Sequence, residues 1–551
     1  MALEPQPPPY PKRPKLNHSN DLSFENLVSL AIHRDRLGDA RKVLWRDKGE
    51  PIIYLSTLRQ CLDHAVAGTA RSATLGFTIR ASFNLLLALI KARRIPKSLF
   101  VAFIVFQSDP PFRSQWFALV RHAIFGQDTF RFAAMLGTFA GLYKLLVNSF
   151  PIIFPPSPRD LDSPLSPESG LATPGLTRRA PRLSLSTQAR LILRQQHGRR
   201  WHAAVAGAIA GGLALMWEKR SRRVMFAQQL FVRGLQGIYN DYSEHWGISI
   251  PHGASIVFAL ACGQIMYAFF LRPDTLPRSY VNWIQEASKA SPDSFSYNRQ
   301  VVQESIFDVN ALEKVMARAD VTPSNLVTLQ SLRQQILSGD HSSIPRYLPC
   351  AGLHPMSDSC LAVGLTRFLE VAQWMLPIYA ALHFVPTLAL RWKLFRNNPS
   401  KVLSHATVGS LRSSAFLGAF VTICQAVWCI KHRLYERIMA SPALRRVVPQ
   451  KVTDALISRY TWWISGLSCG LALFFEDERR RGELAMYTLP KGLESLWIVA
   501  RGRGLVGRTG NWGESLLAAV GAGMVMTIYQ NDPEHLSGLV RRILYQFIGP
   551  N

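Results

Sequence analysis

Acidic residues are scarce in this chain. There are 36 Asp+Glu against 63 Lys+Arg in 551 residues, a formal net charge of +27. Charge of either sign is thin, at 18% of residues, while 48% are hydrophobic. So apolar a composition excludes disorder as a description of the whole chain. Cysteine is sparse as well: seven, spread along the chain, exclude a disulfide-built scaffold. Residues 1–20 are Pro-rich and basic (PQPPPYPKRPKLN) and lack the apolar core of a signal peptide, so targeting is expected to be internal. The closing Ile-Gly-Pro-Asn reads as neither an ER-retention nor a peroxisomal matrix signal. No Walker loop or Ser-His-Asp context stands out. Gly502-x-Gly504-x-x-Gly507 has dinucleotide-type spacing but follows an amphipathic helix, not a strand. No catalytic residue, cofactor or enzymatic activity is expected.

What the chain has is apolar blocks. A lipid-spanning helix needs about 20 mostly apolar residues. Gly253–Leu271 has no charge, Val371–Leu390 only His383 as an ionisable group, and Ser413–Ile430 no charge. Trp201–Trp217, Tyr460–Phe475 and Ser515–Gln530 are shorter; Phe132–Phe154 is broken only by Lys144, and Ser72–Ile90 only by Arg80. Any one block fits a soluble core helix; eight, mostly edged by Arg or Lys, predict an all-α, polytopic helical membrane protein. The basic residues then serve as interfacial anchors, and nucleic acid falls away as a partner.

The sequence also matches itself. At a shift of 258, Gly212-Leu-Ala-Leu215 falls on Gly470-Leu-Ala-Leu473, Glu218 on Glu476, Arg222-Arg223 on Arg480-Arg481, Ala227 on Ala485 and Gly234-Leu235 on Gly492-Leu493: ten identities in 24 ungapped positions. At a shift of 260, Gly263, Met266, Pro273 and Leu276 fall on Gly523, Met526, Pro533 and Leu536. Upstream, Leu136-Gly-x-Phe139 matches Leu417-Gly-x-Phe420, and Gly68-x-x-Arg71 matches Gly364-x-x-Arg367. The order predicts two tandem repeats of about four transmembrane helices each, with spans near 72–92, 131–150, 201–217 and 253–271, then 368–390, 411–430, 460–475 and 513–530. Amphipathic stretches Val224–Tyr239 and Gly482–Trp497 are expected at the interface or against the bundle. Residues 97–125 are expected to form a surface or re-entrant pair.

The domain reading is a basic, Pro-rich cytosolic segment 1–60; a first repeat 61–271 containing a disordered Pro/Ser/Arg-rich loop 151–200; a soluble linker 272–349; and a second repeat 350–551 opening with a Cys/His motif. Residues 151–181 hold eight Pro and four Ser/Thr-Pro steps, at Ser157, Ser163, Ser166 and Thr173. They read either as sites of proline-directed phosphorylation or as a passive spacer. An even span count puts both termini, the loop and the linker on one side, taken as cytosolic.

Several small or charged residues stand out. Ala203, Gly207 and Gly211 recur every four residues, as do Ala208 and Gly212, Gly466 and Gly470, and Gly137 and Gly141; Gly523 is matched in the repeat. Such a ridge lets backbones approach closely, for tight packing or, alternatively, a thin-walled groove. Arg80 lies mid-span, where a charge must pair, snorkel or face water. Glu218 and Glu476 each end a third span four residues before an Arg, predicting i,i+4 pairs with Arg222 and Arg480; a charged gate is the sharper alternative. Arg223 and Arg481 complete the motif. Cys350, His354 and Cys360, with Asp358, form a weak candidate metal cluster whose spacing fits no standard finger; packing or local structure is expected there ahead of a metal or a disulfide.

Cys350-Ala-Gly-Leu-His-Pro-Met-Ser-Asp-Ser-Cys360 resembles the cysteine-rich motif of the transmembrane protein 135 family, also called peroxisomal membrane protein 52. So does Glu478-Arg-Arg-Arg-Gly-Glu-Leu-Ala-Met-Tyr487 with Gly492-Leu-Glu-Ser495 and Gly513-Glu514. Leu136–Lys144, His202–Trp217 and Leu271-Arg-Pro273 are similar to the family's other half. The likeness covers most of 60–551, outside the Pro/Ser loop and much of the linker. One departure is order: in animal members the cysteine motif opens the first half, and here the second. More distantly, the Gly-rich spans with a following basic turn resemble the channel family of mitochondrial preprotein import. The resemblance implies a multi-pass peroxisomal membrane protein, or alternatively a mitochondrial one. It implies a role in lipid or acyl-metabolite passage or lipid homeostasis, with organelle-division or import proteins as alternative partners.

Overall fold

The structure is a computed structural model. It describes residues 55–93, 120–154, 200–339, 344, 346–390, 392–507 and 509–549, and a two-residue strand pair, Trp45–Arg46 with Glu50–Pro51. The segments expected as a basic N-terminus, a 97–125 re-entrant pair and the 151–200 loop with its Ser/Thr-Pro steps lie wholly or mostly outside the described residues. Every other described element is helical. The principal helices are α1 (Leu58–Arg93), α2 (Gln127–Ile153), α3 (Arg200–Ala214), α4 (Arg220–Trp246), α5 (Gly253–Leu271), α6 (Cys360–Leu390), α7 (Pro399–Ala440), α8 (Thr461–Ser468), α9 (Glu478–Gly502) and α10 (Gly513–Asn531).

Among the described residues, four stretches are long and apolar enough to cross a membrane: Val120–Ile153, Gly253–Leu271, Cys360–Leu388 and Pro399–Ala440. They contain four of the eight expected spans. The other four fall short for physical reasons. Polar Ser72, Thr74, Thr78 and Asn84 join Arg80 in diluting α1. α3 stops after 15 residues and α8 after eight, each tightening into a 3₁₀ segment, Leu215–Trp217 and Cys469–Phe475. α10 has 19 residues but carries three glycines, Glu514, Gln530 and Asn531.

The chain divides into two compact units, Met1–Ile248 with Asn511–Asn551, and Ser249–Gly510. They do not coincide with the expected domains 61–271 and 350–551, because the fourth helix of each half lies in the other unit. In the first unit α10 packs on α3 and α4. A Cβ at Gly207 would meet Met526 Cβ at 2.7 Å, one at Gly523 would meet the Ala204 carbonyl at 3.0 Å, and one at Gly234 the Gly521 carbonyl at 3.0 Å. In the second unit α5 packs on α8 and α9 in the same manner. Gly466 faces Met266 Cβ at 2.7 Å, and Gly492 faces the Ala261 carbonyl at 3.2 Å. Small residues on both partners let backbones touch, and an added methylene has nowhere to go. The amphipathic stretches thus pack within α4 and α9 against the exchanged helices. Gly137 and Gly141 do the same for α2 against Thr69 of α1.

The segment expected as a soluble linker instead builds the second unit's core. Four short helices, Arg278–Ser288, Pro292–Glu304, Val309–Met316 and Pro323–Leu337, place Phe295, Val301, Leu312, Leu329 and Ile336 in one cluster with Phe269, Phe270, Trp428 and Trp462. Arg299 donates to the Phe270 carbonyl (3.0 Å) and Gln303 to that of Leu271 (2.6 Å). They thereby satisfy carbonyls that the end of α5 leaves without helical partners.

α3 is inverted relative to a helix in water. Its buried face is Ala203, Ala206, Gly207, Ala210, Gly211 and Ala214, while Trp201, Val205, Ile209 and Leu213 are exposed. Replacing Gly207 by Val should therefore cost about 1–3 kcal/mol by overpacking. Val205→Leu, on the outward face, should stay within about 0.5 kcal/mol of the parent. Thermal unfolding of the two variants in detergent checks this.

Candidate functional site

The repeated Glu-x-x-x-Arg-Arg motif folds into the same device twice. Each short helix tightens into 3₁₀ and ends on its glutamate in extended backbone, Glu218 at φ −76°, ψ 157° and Glu476 at φ −86°, ψ 156°. The turn frees carbonyls, and the second arginine of the motif takes them. Arg223 donates to the carbonyls of Glu218 (2.8 Å) and Met216 (2.6 Å); Arg481 donates to those of Glu476 (3.3 Å) and Phe474 (3.4 Å). The first arginine binds the carboxylate: Arg222 Nη2 lies 2.6 Å from Glu218 Oε1, and Arg480 Nη1 lies 2.7 Å from Glu476 Oε1. The i,i+4 pairs expected from the spacing are present. Both glutamates are buried, 1% and 3% exposed.

The surroundings differ. In the first unit Glu218 Oε1 also accepts from the Lys219 backbone N–H at 2.8 Å. Asp128, at the start of α2, gathers Lys219, Arg222 (3.4 Å) and Arg80 (3.4 Å). Arg80 is thus paired rather than isolated within its helix. In the second unit the carboxylate is held by a neutral partner: Ser413 Oγ lies 3.0 and 3.1 Å from its two oxygens. Arg480 Nη1 reaches Ser413 Oγ (3.1 Å) and stands 2.9 Å from His383 Nε2. Asp128, Lys219, Ser413 and His383 were not singled out from the sequence. None sits at a matched repeat position, and His383 had registered only as a blemish in an apolar run. Lys144, the residue that breaks the Phe132–Phe154 block, is buried with Nζ 2.9 Å from His64 Nε2.

The three weak metal candidates are brought together, and a fourth residue joins them. Cys350, His354, Cys360 and Cys429 place their ligand atoms within 4.8 Å of one another. All seven cysteines are free thiols. Cys429 gave no signal because it lies at the end of the apolar run Ser413–Ile430. A second convergence, Asp241, Asp532 and His535, is filled by the Arg200 guanidinium, 3.1 Å from Asp241 and 3.3 Å from Asp532.

Burial pushes the Glu476 carboxyl above its ordinary range, and Arg480, Ser413 and Arg412 pull it back only in part. Arg480 is 46% exposed, so water screens its field. A raised value means that the folded state binds this proton more readily than the unfolded chain. The group's contribution to stability is then full below the unfolded value and lost as pH rises through the folded one. Unfolding midpoints in detergent should therefore lose stability from this group as pH rises from about 4. Glu476→Gln should flatten that part of the profile; an unchanged slope counts against the assignment.

No family model, no curated protein and no solved structure matches this chain.

Proposed function

We propose that this chain is a polytopic integral membrane protein made of two diverged copies of one helical unit. In this reading it acts without catalysis on the lipid of the peroxisomal membrane, passing or organising a hydrophobic metabolite. The supporting observation is the inversion of its helices. α3 buries alanine and glycine and turns Trp201, Val205, Ile209 and Leu213 outward; α10 buries Ala518, Gly521 and Ala522 and exposes Leu516 and Val520. α6 exposes Leu361, Leu365, Leu369, Ile378, Leu382 and Val385 along its length. In water, large apolar side chains go inside, and contiguous apolar surface of this extent is avoided. In lipid there is no hydrophobic drive between helices, so small residues take the contacts and large ones face the acyl chains.

The peroxisome, with the mitochondrion as alternative, rests on the family resemblance of the Cys350–Cys360 and Glu478–Tyr487 motifs. A division scaffold would recruit partners through the 151–200 loop and the linker; within the linker, Phe295, Val301, Leu312, Leu329 and Ile336 are taken up by the unit's own core. A translocase-like pore would need open glycine faces, and those of α3 and α8 are covered by α10 and α5. Both therefore rank below the lipid reading.

Spin labels on single cysteines at Val205, Ile209 and Leu213, in protein reconstituted into liposomes, should collide more often with dissolved oxygen than with a water-soluble nickel chelate. The reverse order would overturn the membrane reading. A fluorescently tagged chain should co-localise with a peroxisomal marker. If reconstituted protein moves no lipid, acyl-CoA or small solute and its deletion leaves peroxisomal lipids unchanged, the passage reading is abandoned.

A further inference from the structure

The cluster at the head of α6 has a geometry that packing alone does not require. Three thiols and one imidazole, from three places in the chain, converge within 4.8 Å. Cys350 opens the four-residue helical turn Cys350–Leu353, and His354 closes it, its N–H bonded to the Cys350 carbonyl at 3.0 Å. Cys360 begins α6, and Cys429 comes from α7. His354 Nδ1 lies 2.9 Å from the Ser357 carbonyl, and a carbonyl can only accept. The proton therefore sits on Nδ1, and Nε2 presents its lone pair to the thiols, 3.3 Å from Cys360 Sγ. A backbone carbonyl fixing the far nitrogen of a ligating imidazole is the usual outer support of a zinc site.

The loop is held from outside too. Asn325 Nδ2 donates to the carbonyls of Pro355 (3.1 Å) and Ser357 (3.2 Å), and the Thr322 N–H donates to that of Pro355 at 3.0 Å. Ser294 Oγ donates to the Gly352 carbonyl at 2.7 Å. The ligand atoms are thus placed by hydrogen bonds to a folded neighbour. A disulfide would use two of the three thiols and leave the third beside an imidazole with its lone pair turned inward.

We propose that Cys350, His354, Cys360 and Cys429 bind one zinc ion, which ties the start of α6 to α7 and holds the Cys350–Cys360 loop against the helices of residues 278–337. A Cys₃His set is a closed structural zinc site, with four protein ligands and no open position. Tetrahedral bonds of about 2.3 Å to sulfur and 2.0–2.1 Å to nitrogen put ligand atoms roughly 3.5–3.8 Å apart, inside the 4.8 Å within which this cluster's ligand atoms lie. Thiolate-rich tetrahedral sites favour zinc over magnesium, calcium or manganese. The inference concerns the second unit's architecture and stands whether or not the lipid reading holds.

The test uses the full-length chain, purified in detergent without chelator from zinc-supplemented cells. Elemental analysis should find about one zinc per chain. Cobalt(II) exchanged into the protein should show the visible bands of a tetrahedral thiolate site. Cys429→Ser and Cys350→Ser should lose the zinc and the bands, while Cys424→Ser, a buried cysteine of α7 outside the cluster, should keep both. Because a ligand variant can fail to fold, the parent protein carries a second measurement. Alkylation without reductant should find Cys350, Cys360 and Cys429 protected until chelator is added, and then reactive. Zinc well below one per chain, retention of zinc in both ligand variants, or a disulfide joining any two of the three cysteines would overturn the proposal.

Discussion

The close approach of α3 to α10, and of α8 to α5, is the constraint from which the rest follows. At Gly207 and Gly466 the facing helix stands where a side chain would begin, with Met526 Cβ and Met266 Cβ each 2.7 Å from the position of an added Cβ. Two backbones this near gain dispersion contacts along their length and bring Cα–H groups close to facing carbonyls. The cost is that no large side chain fits between them. Trp201, Val205, Ile209 and Leu213 must then lie on the opposite face of α3, and Ile464 and Leu471 on the opposite face of α8 and the 3₁₀ segment that follows it. The outward apolar surface is therefore a consequence of the glycine contact.

The paired carboxylates sit at the ends of these same short helices. Each tightens into 3₁₀ and turns on a glutamate. The turn leaves carbonyls unsatisfied and buries a charge in one place, and two consecutive arginines answer both problems. One cancels the carboxylate; the other takes the carbonyls of the glutamate and of the residue two before it. Neither function works alone, because an unpaired buried carboxylate costs more than the pair returns. That joint requirement is a physical reason for Glu-x-x-x-Arg-Arg to occur in both halves. Their partners differ, being Asp128, Lys219 and Arg80 in one unit and Ser413 and His383 in the other.

The motif was legible because it is local: Glu218 and Arg222 are one helical turn apart, and spacing alone predicts their pairing. The small-residue faces were legible for the same reason. What each face meets was not. The matches of Gly263 with Gly523 and of Pro273 with Pro533 mark α5 and α10 as counterparts, yet sequence identity says nothing about which third helix each one joins. The core role of residues 272–349 was hidden by dispersion, its apolar residues being spread over four short helices with no run long enough to register. Cys429 was hidden by context, since a thiol at the end of an apolar run reads as one more small hydrophobe until the fold sets it beside Cys350.

The second unit combines two kinds of cohesion. The contacts of α5 with α8 and α9 are apolar and close-packed, with few hydrogen bonds. The helices of residues 278–337 are joined to α5 and to the Cys350–Cys360 loop differently, by side chains aimed at main-chain carbonyls: Arg299 and Gln303 at the end of α5, Asn325 and Ser294 at the loop. Each carbonyl presents a fixed direction, so a one-residue slip would leave several of them unpaired at once. Close packing then supplies most of the attraction, and the polar seam supplies the register. Asn298, whose side chain accepts from the buried Leu348 N–H at 3.2 Å, lies on that seam just before the cysteine motif begins. The position of Cys350 is thus set by hydrogen bonds that form with the core.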